Sequence, residues 1–343
     1  RRSMARRGIA LNAPRLASAS AQHTRGPPTV WHEAYSPAWP AKHRFPMWKF
    51  RDLADQLVMD GLFPAHSAFL TPEDPPDEWF LLAHDEEYYQ GFLHGTMDSA
   101  RWRRIGFTQC PDHDALVRRT RLEVAGTVLA SRHALQCGLA CNTAGGTHHA
   151  HGSWGSGYTI LNDLAVTARL LLKEGAVARV LVCDLDVHQG DGTAEILSDE
   201  PRAFTFSVHC NANFPFGFKG MQHLGNDRSD LDVGLDAGTD DGGYLVALER
   251  HFPHALDAHK PDLVLYDAGV DVHIDDDLGR FAISWEGLRQ RDDFVLDACL
   301  SRHIPVACVI GGGYDRDASH LARRHAVVHH AAGAAWSRWR LGG

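Results

Sequence analysis

The chain has 343 residues, 44% hydrophobic, with a formal net charge of −9. That is enough for two average domains or one large α/β domain, and no apolar run reaches the roughly 18 residues of a membrane-spanning helix, so no membrane partner is expected. The negative balance argues against direct nucleic-acid binding and favours cationic partners such as lysine-rich tails.

Residues 1–28 carry Arg1, Arg2, Arg6, Arg7, Arg15 and Arg25 among alanines and serines, with no acidic residue before Glu33. This is the composition of a disordered organelle transit peptide, so the expected location is mitochondrion or chloroplast, and otherwise cytoplasm or nucleus. Residues 29–335 are expected to form one catalytic domain. Leu116–Gln136 reads as a helix, and Cys137 and Cys141 as two core residues on one helical face. A glycine turn with paired histidines follows at Gly145–His149, then an amphipathic helix over Leu161–Lys173 ending at Gly175. Arg179–Asp186 is a continuous apolar run ending in carboxylates, the pattern of a buried parallel strand. Ala203–His209 is a strand, Asp240–Ala258 a helix, Leu263–Gly269 a strand, Ser284–Ser301 a helix, and Pro305–Ile310 a strand entering Gly311–Tyr314. The alternation predicts a single α/β domain with a mostly parallel central sheet and helices on both faces.

Seven cysteines with no C-x-x-C pair point to a reducing compartment without a disulfide framework. Histidine is abundant, 23 residues, and His251, His254, His259, His329 and His330 read as surface positions. The other polar motifs fall at strand C-termini, the edge where open α/β sheets bind ligands. Asp186 and His188, two apart on a strand end, point to the same side and can grip one ion. Asp271, in the next strand-end motif, is the candidate third ligand, which leaves a position for water and substrate. Two carboxylates and an imidazole suit zinc or iron(II). Beside such an ion, one of His148 and His149 can serve as general base and acid while the other holds charge. Each needs an orienting carboxylate, and Asp184 and Asp191 are available. Tyr314, on its triple-glycine loop, can donate a hydrogen bond to a developing oxyanion.

These residues resemble the zinc-dependent histone deacetylase family of arginase-like deacetylase fold, closest to its class IV and bacterial branch. The resemblance spans about residues 28–325 and rests on motifs in the family's order. They are His43–Met47, Asn142–Ala150, Asn162-Asp163, Asp184–Thr193, Asn213–Phe216, Ser229–Asp232 and Gly311–Tyr314. It implies zinc at Asp186, His188 and Asp271, His149 as general base with Asp191 behind it, and His148 as electrostatic partner backed by Asp184. Tyr314 would polarise the scissile carbonyl. A structural potassium near Asp184, Asp186, His188, Ser207 and Val208 is also implied. Gly157, Tyr158 and Phe214 would wall a channel for the methylene stem of an acylated lysine in a protein or peptide.

Some positions depart from the family pattern. Gln189 replaces a commoner histidine and Tyr158 a commoner phenylalanine. Val272–Asp277 lacks an expected glycine, which puts that loop's geometry in question. Leu278 stands where polyamine-preferring relatives carry glutamate, against a polycation-selective enzyme. The expected function is removal of acetyl or longer acyl groups from lysine Nε. Its rivals are deacetylation of small acetylated amines and non-catalytic binding of acyl-lysine.

Overall fold

The structure is a computed structural model that describes residues 26–215 and 228–341. Seven strands are found among these residues: β1 (Thr29–Val30), β2 (Leu139–Asn142), β3 (Val180–Asp184), β4 (Ala203–Cys210), β5 (Leu231–Leu235), β6 (Leu263–Asp267) and β7 (Val306–Val309). They form one sheet in the order β1-β2-β7-β6-β3-β4-β5, every pairing parallel. The α-helices are α1 (Lys49–Met59), α2 (Glu86–Leu93), α3 (Ser99–Ile105), α4 (His113–Cys137), α5 (Asp163–Glu174), α6 (Asp191–Leu197), α7 (Asp241–His259), α8 (Trp285–Leu300) and α9 (Ala318–Arg338). The expected α/β architecture is therefore present, and no helix among the described residues is long and apolar enough to cross a membrane. The proposed targeting segment lies outside the described residues except for Gly26–Pro28.

Strand periodicity divides the interior into two cores. Val180, Val182, Leu263 and Leu265 face one layer, together with Phe50 of α1 and Leu164 of α5. Leu181, Cys183, Val264 and Tyr266 face the other, with Leu248 of α7, Val295 of α8 and Val328 of α9. Both sheet faces are covered, so the strands read as unbroken apolar runs rather than alternating ones. The helices start where the sequence offers caps. The side chains of Asp112, Asn162, Asp240, Ser284 and Asp317 each accept a backbone N–H of the following turn.

Two assignments change. Gly138, at φ 92°, ends α4, and Cys141 lies in β2 instead of on the helical face with Cys137. His329 is only 2% exposed and belongs to the interior face of α9; His330 is exposed, as expected, with its Nε2 2.7 Å from Asp60 Oδ2.

The parallel sheet brings carboxylates to one edge. Asp184 closes β3 and pairs in register with Asp267 of β6 on one side and Ser207 of β4 on the other. Beyond these ends, Arg291 of α8, fully buried, donates to the carbonyls of Gly269 (2.6 Å), Ala268 (3.2 Å) and Leu185 (3.3 Å). One guanidinium thus ties down the two loops that carry Asp186 and Asp271. A rigid support of this kind is what a preorganised site requires.

Candidate active site

Ligand atoms of Asp186, His188 and Asp271 lie within 4.8 Å of one another, all buried. The His188 ring Nδ1 is 2.9 Å from Asp186 Oδ1 and 3.1 Å from Asp271 Oδ2. Backbone groups orient both carboxylates. Gly312 N donates to Asp186 Oδ2 at 2.7 Å, and Val187 N donates to Asp271 Oδ1 at 2.9 Å. Asp271 Oδ2 is left buried without a hydrogen-bond donor among the described residues. A Cβ at Gly312 would sit 2.2 Å from that oxygen and 2.5 Å from Asp186 Oδ2, so only glycine leaves the space beside the carboxylates open. Burial, followed by the charge of Asp186, pushes Asp271 up to about 7. Burial would lower His188, but Asp186 and Asp271 outweigh it and raise it to about 10. The cluster could hold a cation. Its donor set, two carboxylates and an imidazole with the third side open, fits a Lewis-acidic divalent metal.

The paired histidines take different surroundings. His148 Nδ1 lies 2.7 Å from Asp184 Oδ2, and His149 Nδ1 lies 2.6 Å from Asp191 Oδ1. Burial works against a proton on His148, but Asp184 and then Asp186 raise its pKa well above the ordinary value. Burial first, then the charge of His148, brings His149 down to about 4 despite Asp191. One imidazole is therefore held charged and its neighbour neutral. Such splitting is what an acid/base pair requires. If neutral His149 is the base, its own protonation should not limit kcat/KM between pH 7 and pH 5 so long as metal content, measured on the same samples, stays constant. A pH profile with half-loss at 6.5 or above at constant metal content would remove His149 from that role.

The turn bearing the histidines is fixed by Asp163, whose carboxylate accepts from Gly146 N, Thr147 N and the hydroxyls of Thr147 and Thr127. Gly146 has φ 84°, and a Cβ there would lie 2.5 Å from Gly311 Cα. The close approach of the two glycine loops brings Tyr314 to the same cavity as His149 and His188. Burial, then Asp271 and Asp186, raises the Tyr314 phenol well above its usual range, so it remains a donor. The Val272–Asp277 loop lacks the glycine that the resemblance led one to expect. Asp276 holds it instead, accepting from Leu278 N and Gly279 N on Oδ1 and from Tyr314 N on Oδ2.

Gly157, Tyr158, Phe214 and Leu278 all line the cavity leading to the site, about 570 Å³ in volume. Phe214 packs edge-on against His149 at 4.7 Å, and Tyr158 stacks on Phe107. Ser207 is brought beside Asp184 by strand register, with its hydroxyl 2.9 Å from His209 Nδ1.

Four features escaped the sequence reading. Asp267 joins His148 and Asp184 in a second buried cluster, with neither of its oxygens hydrogen-bonded to a described residue. Burial and the charge of Asp184 push its pKa well up. Its signal was its position, closing β6 as Asp184 closes β3. Lys49 is 2% exposed and donates to Gly311 O at 2.9 Å, and burial lowers it to about 8. Arg119 and Glu123 form a buried ion pair at 2.7 Å behind the glycine turn. Finally, four arginines gather at the channel mouth, a clustering that the overall charge does not locate.

A family model described as the histone deacetylase domain matches residues 43–330. An uncharacterized protein of Picosynechococcus sp. is 47% identical over 307 residues, covering 90% of this chain and 98% of that protein. Histone deacetylase clr6 of Schizosaccharomyces pombe is 32% identical, covering 82% of this chain and 69% of its own. The acetoin utilization protein AcuC of Staphylococcus aureus is 26% identical, over 79% of this chain and 72% of that protein. The crystal structure of the HDA15 HD domain shares the fold, with a TM-score of 0.73 at 22% identity over 90% of this chain and 89% of that one.

Proposed function

The chain belongs to the histone deacetylase family of hydrolases, and from that premise we propose that it is a zinc-dependent lysine deacylase acting on protein or peptide substrates. One observation carries the reading. His188 of a buried triad able to hold a metal lines one channel together with His149 and Tyr314, with Gly157, Tyr158 and Phe214 beside them. Asp186, His188 and Asp271 would hold the ion. Bound there, zinc supplies Lewis acidity that polarises a carbonyl and brings the pKa of a water towards ~7.

The chain's own groups then divide the work. Tyr314 donates its phenolic proton in a hydrogen bond to the amide oxygen as charge develops there. His149 Nε2, left over by the Asp191 contact at Nδ1, removes a proton from the attacking water and returns it to the leaving lysine amine. Asp191 fixes the tautomer that makes this transfer possible. The charged His148 faces the same centre and offsets the negative charge of the tetrahedral state. The products are a carboxylate and a free lysine. A structural potassium at Asp184 and Ser207 belongs to the same proposal, supported by their adjacency in register.

The acyl group we propose is short. The foot of the channel, behind His149 and Tyr314, is a cavity of about 30 Å³, room for about two waters. Lys49, Arg119 and Glu123 are among the residues around it, so each added methylene would press against buried charge. A panel of acyl-lysine peptides tests this. Activity should be highest for acetyl, fall about 30-fold or more by butyryl, whose two extra methylenes cost roughly 1–3 kcal/mol each, and vanish for myristoyl. Preference for a long chain would overturn the acyl assignment. Acetylpolyamines turned over faster than any peptide would overturn the lysine assignment.

A further inference from the structure

On a chain whose net charge is −9, the entrance to the channel is basic. Arg44, Arg103, Arg104 and Arg280 line the mouth, with Asp277 the single rim carboxylate among the described residues. All four are exposed, and none pairs with a carboxylate among the described residues. Arg44 donates to the Asp277 carbonyl at 3.3 Å, Arg280 to the Ala212 carbonyl at 2.5 Å and Arg103 to Ser99 Oγ at 3.1 Å. Arg104 lies over the Trp154 ring at 4.6 Å. By contrast, Arg51, Arg202, Arg289 and Arg302 on other surfaces each hold a carboxylate.

The basic surface continues outward. A second cavity of about 750 Å³ shares Arg44 and Asp277 with the mouth and adds Lys42 and Arg316. Its other acid, Asp315, is already paired with Arg324. A single small substrate would fill the channel and leave this groove empty, whereas an extended chain held at one acyl-lysine would run along it.

We propose that the mouth selects acyl-lysines lying in acidic stretches of polypeptide. The proposal rests on the lysine-deacylase reading above. Guanidinium groups without carboxylate partners, set around a partly desolvated cavity, bind flanking Asp and Glu side chains through charge-assisted and bidentate hydrogen bonds. The same field repels lysine-rich tails, which the overall charge alone would have favoured.

The test is kcat/KM of the zinc-loaded protein on three acetyl-lysine peptides of equal length, flanked by Glu, by Gln or by Lys. The expected order is Glu above Gln above Lys, with about tenfold per step at low ionic strength, shrinking to about twofold at ~0.5 M salt as exposed charges are screened. The double variant Arg103→Glu/Arg104→Glu should invert the order, and Arg280→Glu should shift it the same way. A merely damaged protein would lose all three peptides together without reordering them. Equal rates on the three peptides in the wild type overturn the proposal and leave the deacylase reading standing. A carboxylate-bearing acetylated amino acid used better than the Glu peptide overturns the polypeptide occupant. Absence of turnover on the Gln peptide as well overturns the underlying reading itself.

Discussion

Tyr314→Phe is expected to lower kcat by about 10²–10³, the usual loss for one oxyanion donor, with KM and bound metal little changed. The substitution removes a single oxygen. Tyr314 is 7% exposed, and its backbone N–H is fixed by Asp276 Oδ2 at 2.7 Å, so the ring should stay in place without its hydroxyl. The phenol has no acid/base duty, because burial and the carboxylates of Asp271 and Asp186 hold it protonated throughout the working range. Its loss should therefore lower kcat uniformly with pH. Steady-state kinetics across pH, with metal analysis of the same sample, gives the answer. A variant with full kcat would remove Tyr314 from the reacting centre.

Asp271→Asn is expected to be more severe, as is chelation of the wild-type protein. Asp271 Oδ2 lies 3.1 Å from the ring Nδ1 of the fellow ligand His188, and its partner oxygen is already committed to Val187 N. Converting it to an amide breaks the symmetry of the pair of carboxylates that could hold a cation. Several kcal/mol of Lewis-acid stabilisation disappear with the ion, on the order of 10³-fold or more in rate at about 1.4 kcal/mol per tenfold. Metal stoichiometry should fall together with activity. Zinc added back should restore the chelated wild type and fail to restore the variant. Undiminished activity in thoroughly metal-free protein would rule out the metal-dependent mechanism.

Much of this arrangement was legible in the chain, and the reason is local. A buried parallel strand must be apolar on both faces and must end at the ligand edge. Val180–Asp184 and Leu263–Asp267 announce both facts within a few residues. The starts of α7 and α8 were legible at their caps Asp240 and Ser284, whereas α4 begins at His113, behind Asp112, and not at Leu116. The contacts of the motif residues also follow. His148 and His149 reach Asp184 and Asp191 as the resemblance implied.

What stayed hidden depends on residues distant in sequence. Lys49 meets Gly311 across 262 positions, and nothing near Lys49 distinguishes it from a surface lysine of an amphipathic helix. The basic mouth draws Arg44, the Arg103-Arg104 pair and Arg280 from three separate segments, so a net charge of −9 says nothing of that surface. Gly138 has the opposite lesson. It ends α4 and sends Cys141 into β2, a local stop signal that a helical spacing of four overrode.

The central claim is hydrolysis of acyl-lysine at this metal-ready site. The most direct measurement is mass spectrometry of an acetyl-lysine peptide incubated with zinc-loaded protein in heavy-oxygen water. The account predicts free-lysine peptide and acetate carrying one heavy oxygen, formed catalytically and lost with Asp271→Asn. Intact peptide after prolonged incubation with stoichiometrically zinc-loaded protein would contradict it.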